Sequence, residues 1–175
     1  MKDKKRIFSD ILTRYIILLL IALPSLWIFY TIFTPLTIYP VYYLLSLFYE
    51  TALKGISIDI GGKFTIEIIR ACVAGSAYYL LTILNLSIPK IKLGKRIKIL
   101  LVAFLSFLIL NILRIFTFTI FYDVGFGWFD IAHKMVWYGG SILIVVIIWF
   151  MEVKYYKIKE IPFYSDLKVL WKAIK

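Results

Sequence analysis

The segment ILLVAFLSFLILNILRIFTFTIF, Ile99 to Phe121, decides the fold class of this chain. It is longer than the roughly 20 apolar residues that cross a bilayer as a helix, and Arg114 is its only charged residue. Other long apolar runs flank it, and 62% of the 175 residues are hydrophobic. A soluble domain is about half apolar. The sequence therefore predicts an all-α integral membrane protein.

The net charge of +11 is concentrated in three basic clusters that separate the apolar runs. They hold 16 of the 21 basic residues: Lys2, Lys4, Lys5, Arg6 and Arg14; Lys90, Lys92, Lys95, Arg96 and Lys98; Lys154, Lys157, Lys159, Lys168, Lys172 and Lys175. This distribution follows the positive-inside rule, so we expect the clusters in the cytoplasm, near anionic membrane lipids rather than nucleic acid. A single cysteine and a single histidine exclude an internal disulfide and a Cys-rich or His-cluster metal site, and we expect no cofactor.

If the three basic clusters are cytoplasmic, the apolar runs between them predict four transmembrane helices, with both termini in the cytoplasm. The predicted spans are Tyr15–Thr34 (outward), Ile66–Leu86 (inward), Ile99–Phe121 (outward) and Met135–Val153 (inward). The first run is too long for a cleaved signal peptide, and no small-residue cleavage site follows it. The whole chain, 1–175, is predicted to be one multi-pass membrane domain, with a catalytic core at about 56–150 and a cytoplasmic tail at 154–175.

The segment Pro35–Glu67 has both ends outside on this map. Its apolar part, IYPVYYLLSLFYETAL, is short and rich in tyrosine, which is typical of the membrane interface. We predict a re-entrant or interfacial helix within Pro35–Leu53, and a span is the alternative. In GISIDIGGKFTIEI, two runs of alternating apolar and polar residues flank Gly61-Gly62, which predicts a short β-hairpin on the outer face.

Three polar residues fall at the outer side of this map. Cys72 and Arg114 lie roughly 9 and 10 Å below the outer boundary, and His133 opens the last helix. A guanidinium group inside a span is costly, so Arg114 is expected to face a partner or a cavity, although it could also snorkel outward. We therefore expect the three side chains to converge if their helices are neighbours.

These residue types fit nucleophilic catalysis. A cysteine thiolate is a nucleophile, and a nearby arginine can stabilise the thiolate or the oxyanion of a tetrahedral intermediate. His133 could protonate a leaving amine and then activate the incoming nucleophile. The sequence thus favours Cys72, Arg114 and His133 as catalytic residues.

Three further residues are candidates for support. Asn111 shares a helix face with Arg114, Ser76 lies one turn from Cys72, and Asp130 could orient the ring of His133. The small residues at 74–77 could leave room for a substrate backbone beside the thiol. Packing against another helix is at least as good an explanation for them.

The order of these residues resembles the exosortase/archaeosortase family. The matching stretches are ACVAGSAYYLL with Cys72, LNILRI with Asn111 and Arg114, and DIAHKMVWYGG with His133. Many members have Cys-Ser/Thr-Gly, whereas this chain has Cys-Val-Ala-Gly, which suggests a divergent, archaeal-type subgroup.

The resemblance implies a membrane cysteine transpeptidase. Such enzymes recognise a tripartite C-terminal sorting signal on secreted proteins, made of a short motif, a hydrophobic helix and a basic end. They cleave near the motif and pass the new C-terminus to an anchor, often a lipid. The resemblance makes Cys72 the nucleophile, Arg114 the transition-state stabiliser and His133 the proton donor or acceptor.

Two other classes of function stay open on the sequence alone. One is a non-catalytic small membrane protein, such as a transporter subunit or an assembly factor, in which Arg114 pairs with an acid or with a partner chain. The other is an intramembrane protease that only hydrolyses its substrate. An Arg114 side chain that faces lipid, away from Cys72, would argue against both enzyme hypotheses, the transpeptidase and the protease.

Overall fold

The computed structural model describes residues 2–174, and side chains from residue 8 to residue 171. Its helices are α1 Lys2–Ala22, α2 Trp27–Ser46, α3 Arg70–Val73, α4 Gly75–Leu86, α5 Leu93–Asp123, α6 Phe129–Met135, α7 Ser141–Tyr155 and α8 Tyr164–Ile174. A π-helical segment, Val136–Gly140, joins α6 to α7, and strands β1 Thr51–Lys54, β2 Ser57–Ile60 and β3 Phe64–Glu67 form one sheet. The predictions for the side chains of Lys2, Lys4, Lys5, Arg6, Lys172 and Lys175 lie outside the described side chains.

Within the part of the chain that the structure describes, three stretches are long and apolar enough to cross a membrane. They are Trp27–Ser46, Leu93–Asp123 and Phe129–Tyr155. A stripe of exposed side chains at four-residue spacing runs along α5 and consists of Leu101, Leu105, Ile109 and Leu113. Such a stripe is unfavourable in water and suits lipid tails. The structure thus agrees with membrane association, with three candidate spans rather than the four predicted.

The predicted boundaries in the first third of the chain differ from the observed ones. The predicted span Tyr15–Thr34 is interrupted between α1 and α2, where Pro24 has no N–H and Ser25 and Leu26 have positive φ angles of 50° and 59°. A right-handed helix does not continue through that geometry. No separate re-entrant helix occupies Pro35–Leu53, because α2 continues without a break to Ser46.

The predicted span Ile66–Leu86 is also divided. It contains the end of β3, the single turn α3 and the helix α4, whose 12 residues cover only about 18 Å. Ala74 separates the two helices with a left-handed φ of 56° and ψ of 47°. α4 is therefore too short to cross a bilayer by itself.

The predicted β-hairpin is present and is part of a larger sheet. β2 and β3 pair antiparallel across Gly61-Gly62, whose φ angles of 56° and 66° suit glycine. β1, which sequence analysis placed in the preceding apolar segment, pairs antiparallel with the other side of β2. Ile58 and Ile60 are fully buried, so one face of the sheet packs on the helices.

Contacts between the helices define two ends of the bundle. Arg14 donates to the carbonyl of Leu86 and Tyr79 donates to that of Leu18, so α1 runs antiparallel to α4. Arg96, near the start of α5, also donates to the carbonyl of Leu86, at 3.2 Å. Lys90 pairs with Glu160 of the basic tail at 3.1 Å, so the described residues of the three basic clusters lie at one end of the bundle, which we call the basic end. The β-sheet and α6 lie at the other, which we call the sheet end.

Two arginines of the basic clusters, Arg14 and Arg96, are buried in the bundle. Arg14 forms a 2.8 Å ion pair with Asp166 of α8, whose carboxylate also accepts a hydrogen bond from Tyr15. Arg96 donates to the carbonyls of Asn85 and Ile88. The last carbonyls of a helix have no partner within it, so the two guanidinium groups cap the end of α4.

Candidate active site

A cavity of about 430 Å³ lies at the sheet end, between the sheet and the helices. Its walls come from β3, α3, the last third of α5, and α6 with the π-helical segment. Cys72, Arg114 and His133 all line it, although they come from three different elements. The structure therefore brings the three predicted catalytic residues to one cavity.

Cys72 sits in the one-turn helix α3 and is half-buried. Its thiol donates a weak hydrogen bond to the backbone carbonyl of Glu67, at 3.9 Å. Burial raises the pKa of the Cys72 thiol; a backbone hydrogen bond at Ile69 and the positive charge of Arg114 oppose this, and the carboxylate of Glu67 adds to it. Burial has the largest effect and favours the protonated thiol, so attack requires a base that takes the thiol proton.

Arg114 is half-buried and presents a positive charge to the cavity. Its Nη1 donates to the hydroxyl of Ser141 at 2.9 Å. Among the described side chains, Arg114 forms no ion pair with a carboxylate. The charge is therefore held by a neutral partner and is available to an anion inside the cavity.

The ring of His133 packs among three aromatic side chains. The ring centroids of Phe118 and Phe129 lie 5.4 Å from it, and that of Trp137 lies at 5.5 Å. Asp130, predicted to orient this ring, is exposed and lies outside the cavity wall, and no hydrogen bond or ion pair joins it to His133. Stacking fixes the orientation of the imidazole instead.

The π-helical segment lies between His133 and Ser141 and relates their positions. Residues seven apart share a face of an α-helix, whereas these two are eight apart. A π-turn adds one residue to the helix, so an eight-residue separation acts as a seven-residue one. The segment thus puts His133 in the cavity wall while Ser141, on the same face, holds Arg114.

The supporting residues predicted from sequence have different positions. Asn111 is buried and its Nδ2 donates to the backbone carbonyl of Cys72 at 2.8 Å, so it holds α3 rather than lining the cavity. Ser76 is exposed and lies outside the cavity wall. Of the two, only Asn111 bonds directly to a predicted catalytic residue.

The small residues after Cys72 pack against α2, which was the alternative explanation for them. A Cβ at Gly75 would lie 2.7 Å from the ring of Tyr30. The same ring lies 5.3 Å below the guanidinium of Arg70, and Ala74 and Ala77 are buried. Clearance for a substrate backbone is therefore not the reason for these small side chains.

Two parts of the site were missed by sequence analysis. For Ser141 the sequence offered only a weak indication, a hydroxyl residue eight positions after the only histidine. The run Phe64–Ile69 lines the cavity with six consecutive residues, and its approach to Cys72 depends on the chain turning sharply through α3. Among the described residues, no group of three or more His, Cys, Asp or Glu side chains could hold a metal ion.

No family model, no curated protein and no solved structure matches this chain. A functional proposal therefore rests on the residues of the cavity and on their order in the sequence.

Proposed function

We propose that this chain is a multi-pass membrane cysteine transpeptidase. It cleaves the C-terminal sorting signal of secreted proteins and transfers the new C-terminus to a lipid or another membrane anchor. The observation that carries this proposal is the meeting of Cys72, Arg114 and His133, from α3, α5 and α6, in the wall of one cavity. The resemblance of their order to the exosortase/archaeosortase family supports the substrate class.

In the first half of the proposed reaction, the Cys72 thiol gives its proton to the imidazole of His133, and the sulfur attacks the carbonyl carbon of the scissile peptide bond. The carbonyl oxygen becomes an oxyanion in the tetrahedral intermediate. The C–N bond then breaks, the leaving amine takes a proton from the imidazolium of His133, and a thioester to Cys72 remains.

In the second half, the acceptor attacks the thioester. An amine or hydroxyl of the anchor bonds to the carbonyl carbon and gives its proton to the imidazole of His133. The C–S bond breaks and the sulfur leaves as a thiolate. Water in place of the anchor gives hydrolysis by the same steps, so the acceptor alone separates a transpeptidase from a protease.

Arg114 suits the role of oxyanion stabiliser because no carboxylate among the described side chains neutralises it. A fixed positive charge aimed at a developing oxyanion in a half-buried cavity is worth more than it would be in water. Its bond to Ser141 uses one of five guanidinium N–H groups, which leaves others for substrate. A lysine, with a single ammonium, would not reproduce this geometry.

The proposed orientation puts the basic end in the cytoplasm and the sheet end outside. Arg96 and Arg114 are separated by about 27 Å along α5, close to the thickness of a bilayer's hydrocarbon core. The positive-inside rule then places the cavity near the outer face. A signal that arrives by secretion would present its motif on that side.

The test is co-expression with secreted proteins that carry a tripartite C-terminal signal. We expect wild-type protein to release the signal and to form a hydroxylamine-sensitive adduct, as a thioester does. Cys72→Ala should abolish both while the protein accumulates normally. Ser76→Ala, an exposed change outside the cavity, is the matched control and should leave both unchanged.

The mass of the new C-terminus then separates the possible functions. An added anchor indicates transfer, and a free carboxylate indicates a purely hydrolytic protease. Signal cleavage that persists in Cys72→Ala would exclude covalent catalysis by this chain and would favour a non-catalytic membrane protein.

A further inference from the structure

β3 is an edge strand, and its free edge faces the cavity. Within the described part of the chain the sheet order is β1-β2-β3, so β3 pairs with β2 on one side only. An edge strand presents unpaired N–H and C=O groups that can pair with an added strand. This edge is thus a site where an extended peptide can bind through its backbone.

The hydrogen-bond pattern identifies which groups are free. Ile68 donates its N–H to the carbonyl of Ile56 at 2.9 Å, which fixes the alternation along β3. Backbone groups of successive residues point to opposite sides of a strand, so those of Ile66 face β2, and those of Thr65 and Glu67 face away from it. The Glu67 carbonyl already accepts from the N–H of Ile69 at 3.1 Å and from the Cys72 thiol, so the free outward groups are the N–H and C=O of Thr65 and the N–H of Glu67. Thr65 and Glu67 are both exposed.

The cavity meets β3 at this edge. All four residues of β3, Phe64–Glu67, line the cavity, although side chains alternate between the two faces of a strand. A cavity below one face would be lined by every second residue. Contact with all four indicates that the backbone edge itself forms part of the cavity wall.

The Cys72 thiol lies at the end of the same edge. Its Sγ is 3.9 Å from the carbonyl oxygen of Glu67, one of the groups that points away from β2. A peptide paired with Thr65 and Glu67 would therefore place its own backbone beside the sulfur. Phe118, Phe129 and Trp137 also line the cavity, and their aromatic surfaces can receive alternate side chains of that peptide.

We propose that β3 is the docking strand for the substrate, and that an extended segment of the sorting signal pairs with its free edge and so brings its scissile bond to Cys72. This inference rests on the proposed function. Recognition by strand addition takes affinity from main-chain hydrogen bonds and specificity from pockets for alternate side chains. The signal motif must accordingly bind as an extended strand, without a helix or a turn at the cleaved bond.

The test uses covalent probes on the purified full-length protein in lipid nanodiscs. The first is the tetrapeptide Val-Thr-Val-Phe as its chloromethyl ketone, whose methylene carbon bonds to the thiolate sulfur as chloride leaves. The second is the same compound with N-methyl groups at alternate residues, prepared in both registers. Iodoacetamide reports the reactivity of the thiol itself, and labelling of Cys72 is followed by intact mass.

The expected result is that wild-type protein reacts about tenfold faster with the parent peptide than with at least one N-methylated register, the effect of one or two backbone hydrogen bonds. Thr65→Pro removes an outward N–H and should abolish this preference when each peptide rate is divided by the iodoacetamide rate of the same variant. Thr51→Pro removes an outward N–H at the opposite edge of the sheet, on β1, and should behave as wild type.

Equal rates for the parent peptide and both N-methylated registers on wild-type protein would overturn the proposal, whether or not the proline variants fold. A preference retained in folded Thr65→Pro would also overturn it. If signal cleavage requires Cys72 but the probe rates are equal, the transpeptidase proposal holds and strand docking is rejected. If the parent peptide reacts faster but cleavage persists in Cys72→Ala, strand docking holds and the transpeptidase proposal is rejected.

Discussion

The side-chain amide of Asn111 donates a 2.8 Å hydrogen bond to the backbone carbonyl of Cys72. Asn111 is buried in α5, one turn before Arg114. A single helix thus holds the turn that carries the thiol and also supplies the cation of the cavity. Any movement of α5 relative to α3 changes the distance between the sulfur and the guanidinium.

Asn111→Ala should destabilise the protein and loosen the site. The substitution leaves the partly buried carbonyl of Cys72 without its donor, which costs about 1–3 kcal/mol. Unfolding in detergent, followed by circular dichroism, measures the loss. Leu113→Ala is the control, because Leu113 is exposed on the same helix and its truncation should cost less than about 0.5 kcal/mol. Equal stability of the two variants would show that the hydrogen bond does not hold α3.

Ser141→Ala should reduce signal cleavage about tenfold and Arg114→Lys should reduce it more. Ser141 holds Nη1 of Arg114 at 2.9 Å, and a hydrogen bond to a charged group is worth about 1.5–3 kcal/mol. The first-order rate of cleavage in cells gives the comparison. Asp130→Asn is the control, since Asp130 is exposed outside the cavity and its replacement should leave the rate unchanged. A wild-type cleavage rate in Ser141→Ala would show that the hydrogen bond from Arg114 to Ser141 is not needed for catalysis.

The rate of iodoacetamide labelling of Cys72 should increase at a higher pH than the labelling rate of a free cysteine does. Burial raises the pKa of this thiol, so a larger share stays protonated at any pH around and above the ordinary value of about 8.5. The positive charge of Arg114 opposes burial, so Arg114→Gln should move the labelling curve to still higher pH. The measurement is the labelling rate between pH 6 and pH 10, in roughly half-unit steps. A curve that moves to lower pH in Arg114→Gln would mean that the guanidinium does not act on the thiol.

Sequence analysis predicted well where one interaction dominates. The cost of a charge in an apolar helix pointed to Arg114, and alternation around Gly61-Gly62 predicted the pairing of β2 with β3. Membrane association followed from the apolar runs, and three stretches have the length and composition to span. Each of these features depends on residues close together in sequence.

Sequence analysis failed where tertiary contacts decide. Nothing local predicts that Ala74 adopts a left-handed conformation and ends α3, because an alanine there normally continues a helix. Pro24 breaks the helix, whereas Pro35 and Pro40 lie inside α2. Neighbouring helices compensate for a proline in one place and not in another, and the sequence does not reveal which.

Gly75→Ala should destabilise the protein through the contact of Gly75 with α2. The added methyl group would lie 2.7 Å from the ring of Tyr30, which must then leave its position over Arg70. Overpacking of this kind costs about 1–3 kcal/mol. The midpoint of thermal unfolding in detergent gives the comparison, and Tyr30→Leu should restore the stability of Gly75→Ala in the double variant.

The control for Gly75→Ala is another helical glycine. Gly94, in the first turn of α5, has nothing within 4 Å of a built Cβ, so Gly94→Ala should be neutral or slightly stabilising. A Gly75→Ala variant as stable as Gly94→Ala would contradict the tight packing between α2 and α4.

Asp166→Asn should release α8 from the bundle. The 2.8 Å pair between Asp166 and Arg14 is buried on both sides, and breaking such a pair costs about 3–5 kcal/mol because it leaves one charge without compensation. Asp10, at 3.3 Å from Arg14, is too exposed to replace it. Trypsin cleavage at Lys168 measures the release.

The matched control for Asp166→Asn is Glu160→Gln, because the 3.1 Å pair of Glu160 with Lys90 is exposed and worth less than about 1 kcal/mol. Digestion of both variants at the same rate would mean that apolar packing alone, rather than the buried ion pair, holds α8 in place.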